Sequence, residues 1–165
     1  MFEVHSLGSS PWSFAGAGQV VRRLKDMAGY FPRDPAAEAR NPVIYEVFEW
    51  PRDGLPTDLL VTVTAIYPGM VGGESHHTKG HFHKDPDGSE LVVGIEGHGT
   101  LEMVDRSGAE QAVPVAPHTM VTIPPGWAHR VVNPGTDPVL YLSVSSAEVG
   151  HDYGGVRAAG WIPGN

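Results

Sequence analysis

The sequence predicts an all-β protein, a small sandwich or barrel preceded by an N-terminal arm that contains a short helix. Three observations predict it. Glycine and proline are abundant, 21 and 15 in 165 residues, a density that suits many turns and argues against a helix bundle. From residue 41 to residue 146, short runs rich in β-branched and aromatic side chains follow one another. Between them stand tight-turn sequences such as EGHG, PPG and NPGTDP. At this length a single domain, residues 1–165, accounts for the chain: an arm (1–40), a barrel (41–149) and a tail (150–165).

In the arm, Gln19–Tyr30 is the best helix candidate, with Val20, Val21, Leu24 and Met27 near helical spacing and Pro32 and Pro35 to close it. Asn41–Trp50 reads as a strand, because β-branched and aromatic residues alternate with others. Leu59–Tyr67 reads as a stronger strand. Its alternation puts Val61, Val63 and Ala65 on one face and Leu60, Thr62, Thr64 and Ile66 on the other. Gly80–Lys84 is a short extended piece. Glu90–Ile95 and Thr100–Val104 flank EGHG as the arms of a hairpin. Met120–Ile123, Arg130–Asn133 and Val139–Val144 complete the series, and the tail from Gly150 to Asn165 is glycine-rich and carries HDYGG.

Composition narrows the function. With no cysteine there is no disulfide framework, no thiolate metal site and no cysteine nucleophile. A net charge of −8 argues against nucleic acid as a partner. The opening MFEVHSLGSSPWSF lacks the basic stretch and apolar run of a secretion signal, and the longest uncharged stretch is broken by prolines. A cytoplasmic protein with no membrane partner is the expectation.

Nine histidines stand out in a chain without cysteine. His81 and His83 flank Phe82 in GHFH; in a strand both imidazoles project to one side. Glu90 follows after a gap that suits a turn, and His129 sits just after the turn in PPGWAHRVVN. Three imidazoles and a carboxylate suit iron, manganese, nickel, cobalt, copper or zinc. On an ion that favours six positions, such a set leaves two for water or substrate.

The joint spacing resembles the cupin superfamily. Its first motif, HxH, a gap, Glu and then Gly, reads as His81, His83, Glu90 and Gly97; its second reads as Pro124, Gly126, His129 and Asn133. Two glycines of the pattern are replaced, by Ser75 and by His118. Histidine tolerates positive φ better than most residues, so His118 is expected to hold that turn. The resemblance implies a double-stranded β-barrel, or jelly roll, with His81, His83, Glu90 and His129 as metal ligands.

A narrower resemblance is to the cupin-type glucose-6-phosphate isomerases. It rests on YPG at Tyr67–Gly69, TKGHFH at Thr78–His83, PPGWAHRVVN at Pro124–Asn133 and GHDYG at Gly150–Gly154. It implies a homodimer that interconverts glucose 6-phosphate and fructose 6-phosphate on one divalent ion, commonly iron(II), with manganese, nickel and zinc also encountered. The arm's Trp12, Phe14 and Val20 are candidates to cover a dimer surface. The resemblance further implies phosphate contacts at Tyr45, Thr64, Thr78 and Gly80, and sugar contacts at His151 and Tyr153. Hydroxyls and backbone N–H groups hold a phosphate without an arginine cluster, which suits an acidic chain, and Lys79 adds local positive charge. The family often carries a tyrosine two residues after the glutamate ligand; here Val92 stands there. His76 and His77 likewise replace aromatic residues.

Aldose–ketose isomerisation moves hydrogen between C1 and C2. Glu90 is the candidate base for an enediol route, and a direct hydride shift is the other; His151 and Tyr153 are candidates for ring opening and sugar orientation. The competing functions are another metal-cupin enzyme, such as a dioxygenase or a different sugar-phosphate isomerase, and a non-catalytic sugar-binding cupin.

Overall fold

The structure is a computed structural model, and it describes residues 17–50 and 59–158. Trp12 and Phe14 lie outside the described residues. Thirteen strands carry the fold: β1 (Gly18–Arg23), β2 (Val43–Glu49), β3 (Leu59–Ile66), β4 (Met70–Val71), β5 (Glu74–Ser75), β6 (Phe82–His83), β7 (Glu90–Glu96), β8 (Gly99–Asp105), β9 (Glu110–Val115), β10 (Met120–Ile123), β11 (Trp127–Val132), β12 (Val139–Ser146) and β13 (His151–Asp152). Helices are short, α1 at Pro35–Arg40 and α2 at Gly154–Ala158. Among the described residues no helix is long and apolar enough to cross a membrane.

The larger sheet runs β1-β2-β3-β12-β7-β10 and the smaller one β11-β8-β9; two-stranded ribbons pair β13 with β6 and β4 with β5. The two sheets share one core. Val92, Ile66 and Ile123 from the larger sheet pack with Leu101, Val115, Ala128 and Val131 from the smaller. This is a jelly-roll arrangement, in which side chains from two inner faces fill the space between sheets. The alternation expected for β3 holds: Thr62 and Thr64 line the interior pocket, while Val63 and Ala65 pack on the outer face with Phe48 and Leu140.

The arm differs from the expectation. Residues 18–23 form strand β1, paired along its length with β2 from Gly18↔Glu49 to Arg23↔Val43, and only one 3-10 turn, Leu24–Met27, follows. Val20 and Val21 are β-branched, and an open sheet edge offers their backbone a ladder that local helical spacing does not outweigh. Leu24 and Met27 still go inside. The helix of the arm lies further on. Asp34 caps α1 by accepting from the Ala37 N–H at 3.0 Å, Pro35 occupies its first turn, and Asn41 at φ 47° closes it. Pro35 therefore starts a helix, where its missing N–H costs nothing.

EGHG is not a hairpin. β7 belongs to the larger sheet and β8 to the smaller, so the turn carries the chain from one sheet to the other. Gly97 makes the crossing at φ 73°, and a Cβ there would lie 2.2 Å from the Pro138 carbonyl oxygen. β9 was not legible because Pro114 interrupts it; it lies at the edge of its sheet, where proline is tolerated. His118 does sit at positive φ, 69°.

Candidate metal centre and substrate pocket

His81, His83, Glu90 and His129 meet inside the barrel, their donor atoms all within 4.8 Å of one another. Each arrives on a different device. His81 and His129 exchange backbone hydrogen bonds in a single antiparallel bridge (3.3 and 3.1 Å), which brings their rings to 4.4 Å between centroids. His83 ends β6, and Glu90 opens β7 after a turn closed by the Gly88 N–H donating to the Asp85 carbonyl.

The outer ring nitrogens fix the tautomers. His83 Nδ1 donates to the Gly88 carbonyl at 2.9 Å, and the Nδ1 atoms of His81 and His129 face the Lys79 and Trp127 carbonyls at 3.4 and 3.5 Å. A backbone carbonyl on Nδ1 is the arrangement that aims the Nε2 lone pair at an ion. Glu90 Oε2 lies 3.3 Å from His83 Nε2 and 3.5 Å from His129 Nε2. His81 Nε2 and His129 Nε2 are buried and have no hydrogen-bond partner. Buried ring nitrogens without a partner are costly, and two such lone pairs beside one carboxylate are what a cation would satisfy. Burial, with His129 and His151 nearby, holds the His81 imidazole well below its usual pKa, so it stays neutral. Burial alone would push the Glu90 carboxyl up, but the imidazoles of His129 and His83 outweigh it and hold it well below the carboxylate range. A neutral His81 imidazole beside an ionised Glu90 carboxylate fits a divalent metal.

The other expected site residues share one pocket with this cluster. Tyr45, Thr64, Thr78, His151 and Tyr153 all line it, together with His81, Glu90 and His129. Gly80 is buried between Lys79 and His81. β13 pairs with β6, His151 opposite His83, which sets the His151 ring 4.2 Å edge-on from His81. The Tyr153 hydroxyl is 3.5 Å from His151 Nδ1, and its side chain remains exposed. Thr78 is locked to β11: its N–H donates to the Val131 carbonyl at 3.0 Å, and its Oγ1 accepts from the Val131 N–H at 3.1 Å. Burial pushes the Tyr45 phenol up to about 12, so it is a neutral donor at any ordinary pH.

His76 and His77 are buried but outside the pocket. His77 stacks on Phe31 at 4.3 Å, and its Nδ1 donates to the Thr78 carbonyl at 2.8 Å. Val92 is buried and lines the pocket with methyl groups only.

Two residues of the site escaped the sequence reading. Arg22 on β1 stands opposite Tyr45 in register, and its charge reaches Tyr45, Lys79 and Tyr153. It was missed because β1 read as helix. Tyr141 on β12 lines the pocket beside Thr64 and Thr78. Strict alternation through VLYLSVS, placing Tyr141, Ser143 and Ser145 on one inward face, was the available signal.

Comparison with known proteins agrees with this geometry. The fold is similar to that of oxalate decarboxylase from Lactobacillus farciminis (TM-score 0.53, 19% identity, covering 66% of this chain and 30% of that one). Bacillus subtilis oxalate decarboxylase is similar to the same degree (TM-score 0.52, 16% identity, 63% and 26%). The chain spans less than a third of the length of these neighbours, and the likeness is one of fold. Sequence relatives are nearer. Glucose-6-phosphate isomerase of Thermococcus kodakarensis is 41% identical over 149 residues, covering 88% of this chain and 79% of that one. The enzyme of the same name from Pyrococcus furiosus is 40% identical over 150 residues, with the same coverage. Residues 21–162 match the glucose-6-phosphate isomerase (GPI) family, a span that holds every residue of the metal cluster and the pocket, and the chain belongs to that family.

Proposed function

We propose that the chain is a metal-dependent aldose–ketose isomerase interconverting glucose 6-phosphate and fructose 6-phosphate, with iron(II) as its resident ion and manganese, nickel or zinc as substitutes. One observation carries the reading: a single pocket joins the His81–His83–Glu90–His129 cluster to the hydroxyls of Tyr45, Thr64 and Thr78. Its similarity to the glucose-6-phosphate isomerases of Thermococcus kodakarensis and Pyrococcus furiosus supports it. The same reading makes it a homodimer of single-domain subunits in the cytoplasm, which size-exclusion chromatography with light scattering tests for the oligomer.

His81, His83, Glu90 and His129 would hold the ion. Bound there, it would supply Lewis acidity that stabilises negative charge on the substrate as hydrogen moves between C1 and C2. The remaining work falls to the chain. Tyr45, Thr64 and Thr78 present hydroxyls at the other end of the pocket and anchor the phosphate, with the Gly80 backbone approaching closely. Arg22, opposite Tyr45 in register, sets a positive charge beside it. His151, at the rim with Tyr153 against its Nδ1, shuttles the anomeric hydroxyl proton to the ring oxygen as the bond between C1 and that oxygen breaks, and Tyr153 orients the sugar. Glu90 is flanked by two imidazoles that favour its ionised form, which weakens it as a base and favours a hydride shift.

A coupled assay of fructose 6-phosphate conversion, with and without iron(II) or manganese(II), tests the reading. Metal-dependent glucose 6-phosphate formation is expected; no turnover with any divalent ion overturns it. Deuterium at C2 tests the route: retention at C1 is expected, and extensive exchange with solvent excludes a pure hydride shift.

A further inference from the structure

Tyr141 sits at the centre of the larger sheet's inner face, opposite Thr64 of β3 in the β12–β3 register. It is 7% exposed, and that exposure is into the pocket. Its hydroxyl stands beside the side chains of Thr64 and Thr78 and near Tyr45, and lies close enough to Glu90 to feel its charge. Thr78 Oγ1 already accepts from the Val131 N–H. A phenol among these groups completes a ring of hydroxyls drawn from three elements.

Two features make Tyr141 more than a packing residue. Burial raises its phenol far above the usual range, so it keeps its proton and remains a donor. The neighbouring inward position on β7 is Val92, which pairs with Ser143 and so lies one diagonal step from Tyr141. Diagonal neighbours on a sheet face are about 7–8 Å apart, within the reach of an aromatic side chain. Val92 contributes only methyl groups and leaves room beside the phenol. We propose that Tyr141 is a substrate-binding residue that donates its hydroxyl proton to the phosphate group of the sugar phosphate, sharing that anion with Thr64 and Thr78.

The inference rests on the sugar-phosphate reading of the pocket and deepens it. Its logic is one of hydrogen-bond exchange. Without ligand the phenol has two threonine side chains as its polar neighbours; with phosphate present, all three hydroxyls can turn to one anion, and charge-assisted bonds are stronger than neutral ones. A hydroxyl that met only the threonines would contribute to folding and not to binding.

Tyr141→Phe removes the hydroxyl and keeps the ring, so the core stays filled. In the metal-loaded protein the variant is expected to raise KM for fructose 6-phosphate about tenfold, as for loss of one hydrogen bond to a charged group, with kcat within about twofold. The inhibition constant of inorganic phosphate is expected to rise by the same factor. Unchanged KM and unchanged phosphate inhibition, with only a lower melting temperature, overturn the proposal. Titration calorimetry with inorganic phosphate on both proteins separates this inference from the isomerase reading, since it needs no turnover. Should the wild type bind phosphate but fail to isomerise, a tenfold weaker phosphate affinity in the variant still supports the role of Tyr141, and equal affinity removes it.

Discussion

The two ends of the pocket are built in opposite ways. The metal end is made largely from fragments: a two-residue strand carries His83, a single-pair bridge sets His81 against His129 of β11, and Glu90 is the first residue of a longer strand. The other end is regular sheet, where β2, β3 and β12 present alternate side chains in register, Val47–Thr64–Tyr141 across one row and Thr62–Ser143 across the next. An irregular backbone frees each histidine to be aimed separately, with a carbonyl behind its Nδ1. A sheet gives each hydroxyl a fixed station at low cost but lets it point only perpendicular to the surface. The metal end should therefore fail abruptly when one donor is lost, and the hydroxyl end should weaken by degrees.

The largest expected effect tests the first half of that contrast. His129→Ala should lose bound metal and about 1000-fold or more in kcat/KM, because the several kcal/mol of Lewis-acid stabilisation goes with the ion. Metal content by elemental analysis checks it; a variant that keeps a full equivalent of tightly held ion breaks the contrast.

A second test concerns His77, which stands behind Thr78 and supports the hydroxyl end from outside. Burial first, then the Arg130 charge, lower its pKa from 6.5 to about 4. The unfolded chain takes up this proton near pH 6.5 and the folded one only near pH 4. Its contribution to stability is thus full above pH 6.5, declines between pH 6.5 and 4, and amounts to on the order of 3 kcal/mol. His77→Gln keeps a donor and abolishes the titration, so its denaturation midpoints should fall less steeply across that window. Parallel curves for the two proteins would contradict the assignment.

Asn133 is the tie between the ends. Its Nδ2 donates to the Ile66 and Asp137 carbonyls at 2.9 Å each, and its Oδ1 accepts from the Gly135 N–H at 3.0 Å. Asn133→Ala should cost about 2 kcal/mol in urea unfolding, the price of leaving buried backbone groups unpaired. The smallest effect belongs to the hydroxyl end. Thr64→Val should raise KM about tenfold or less, with kcat unchanged, in steady-state kinetics. A fall in kcat of more than tenfold would mean that Thr64 acts on the reacting carbons and not on the remote anchor.

The same contrast explains what the sequence could show. The grouping of His81, His83, Glu90 and His129 was legible because they sit in short motifs whose spacing is the geometry: two histidines two residues apart, then gaps to Glu90 and to His129. The sheet residues are strangers in sequence. Thr64 and Tyr141 meet only through the β3–β12 register, and no local pattern announces that Arg22 will reach Tyr45. Strand positions from β2, β3, β10 and β12 followed from alternation, since one face of each is buried. The arm did not, because Val20, Val21, Leu24 and Met27 satisfy helical spacing while the open edge of β2 decides the outcome. EGHG has the chemistry of a tight turn, and turn chemistry carries no information about whether the next strand pairs with the last one.

That crossing has a mechanical consequence. Because β7 and β8 part company at Gly97, Glu90 lies in the larger sheet, His129 in the smaller and His83 in a separate ribbon, with no shared ladder joining the three. An ion gripped by all of them is a cross-link between layers otherwise held by side-chain packing, single backbone bridges such as His81–His129 and isolated hydrogen bonds such as Asn133 to Ile66. Its affinity adds directly to the work of prising the layers apart. Stripped of that rivet, the barrel should gape first at β6 and β11, and amide exchange there should quicken long before the β3–β12 ladder opens.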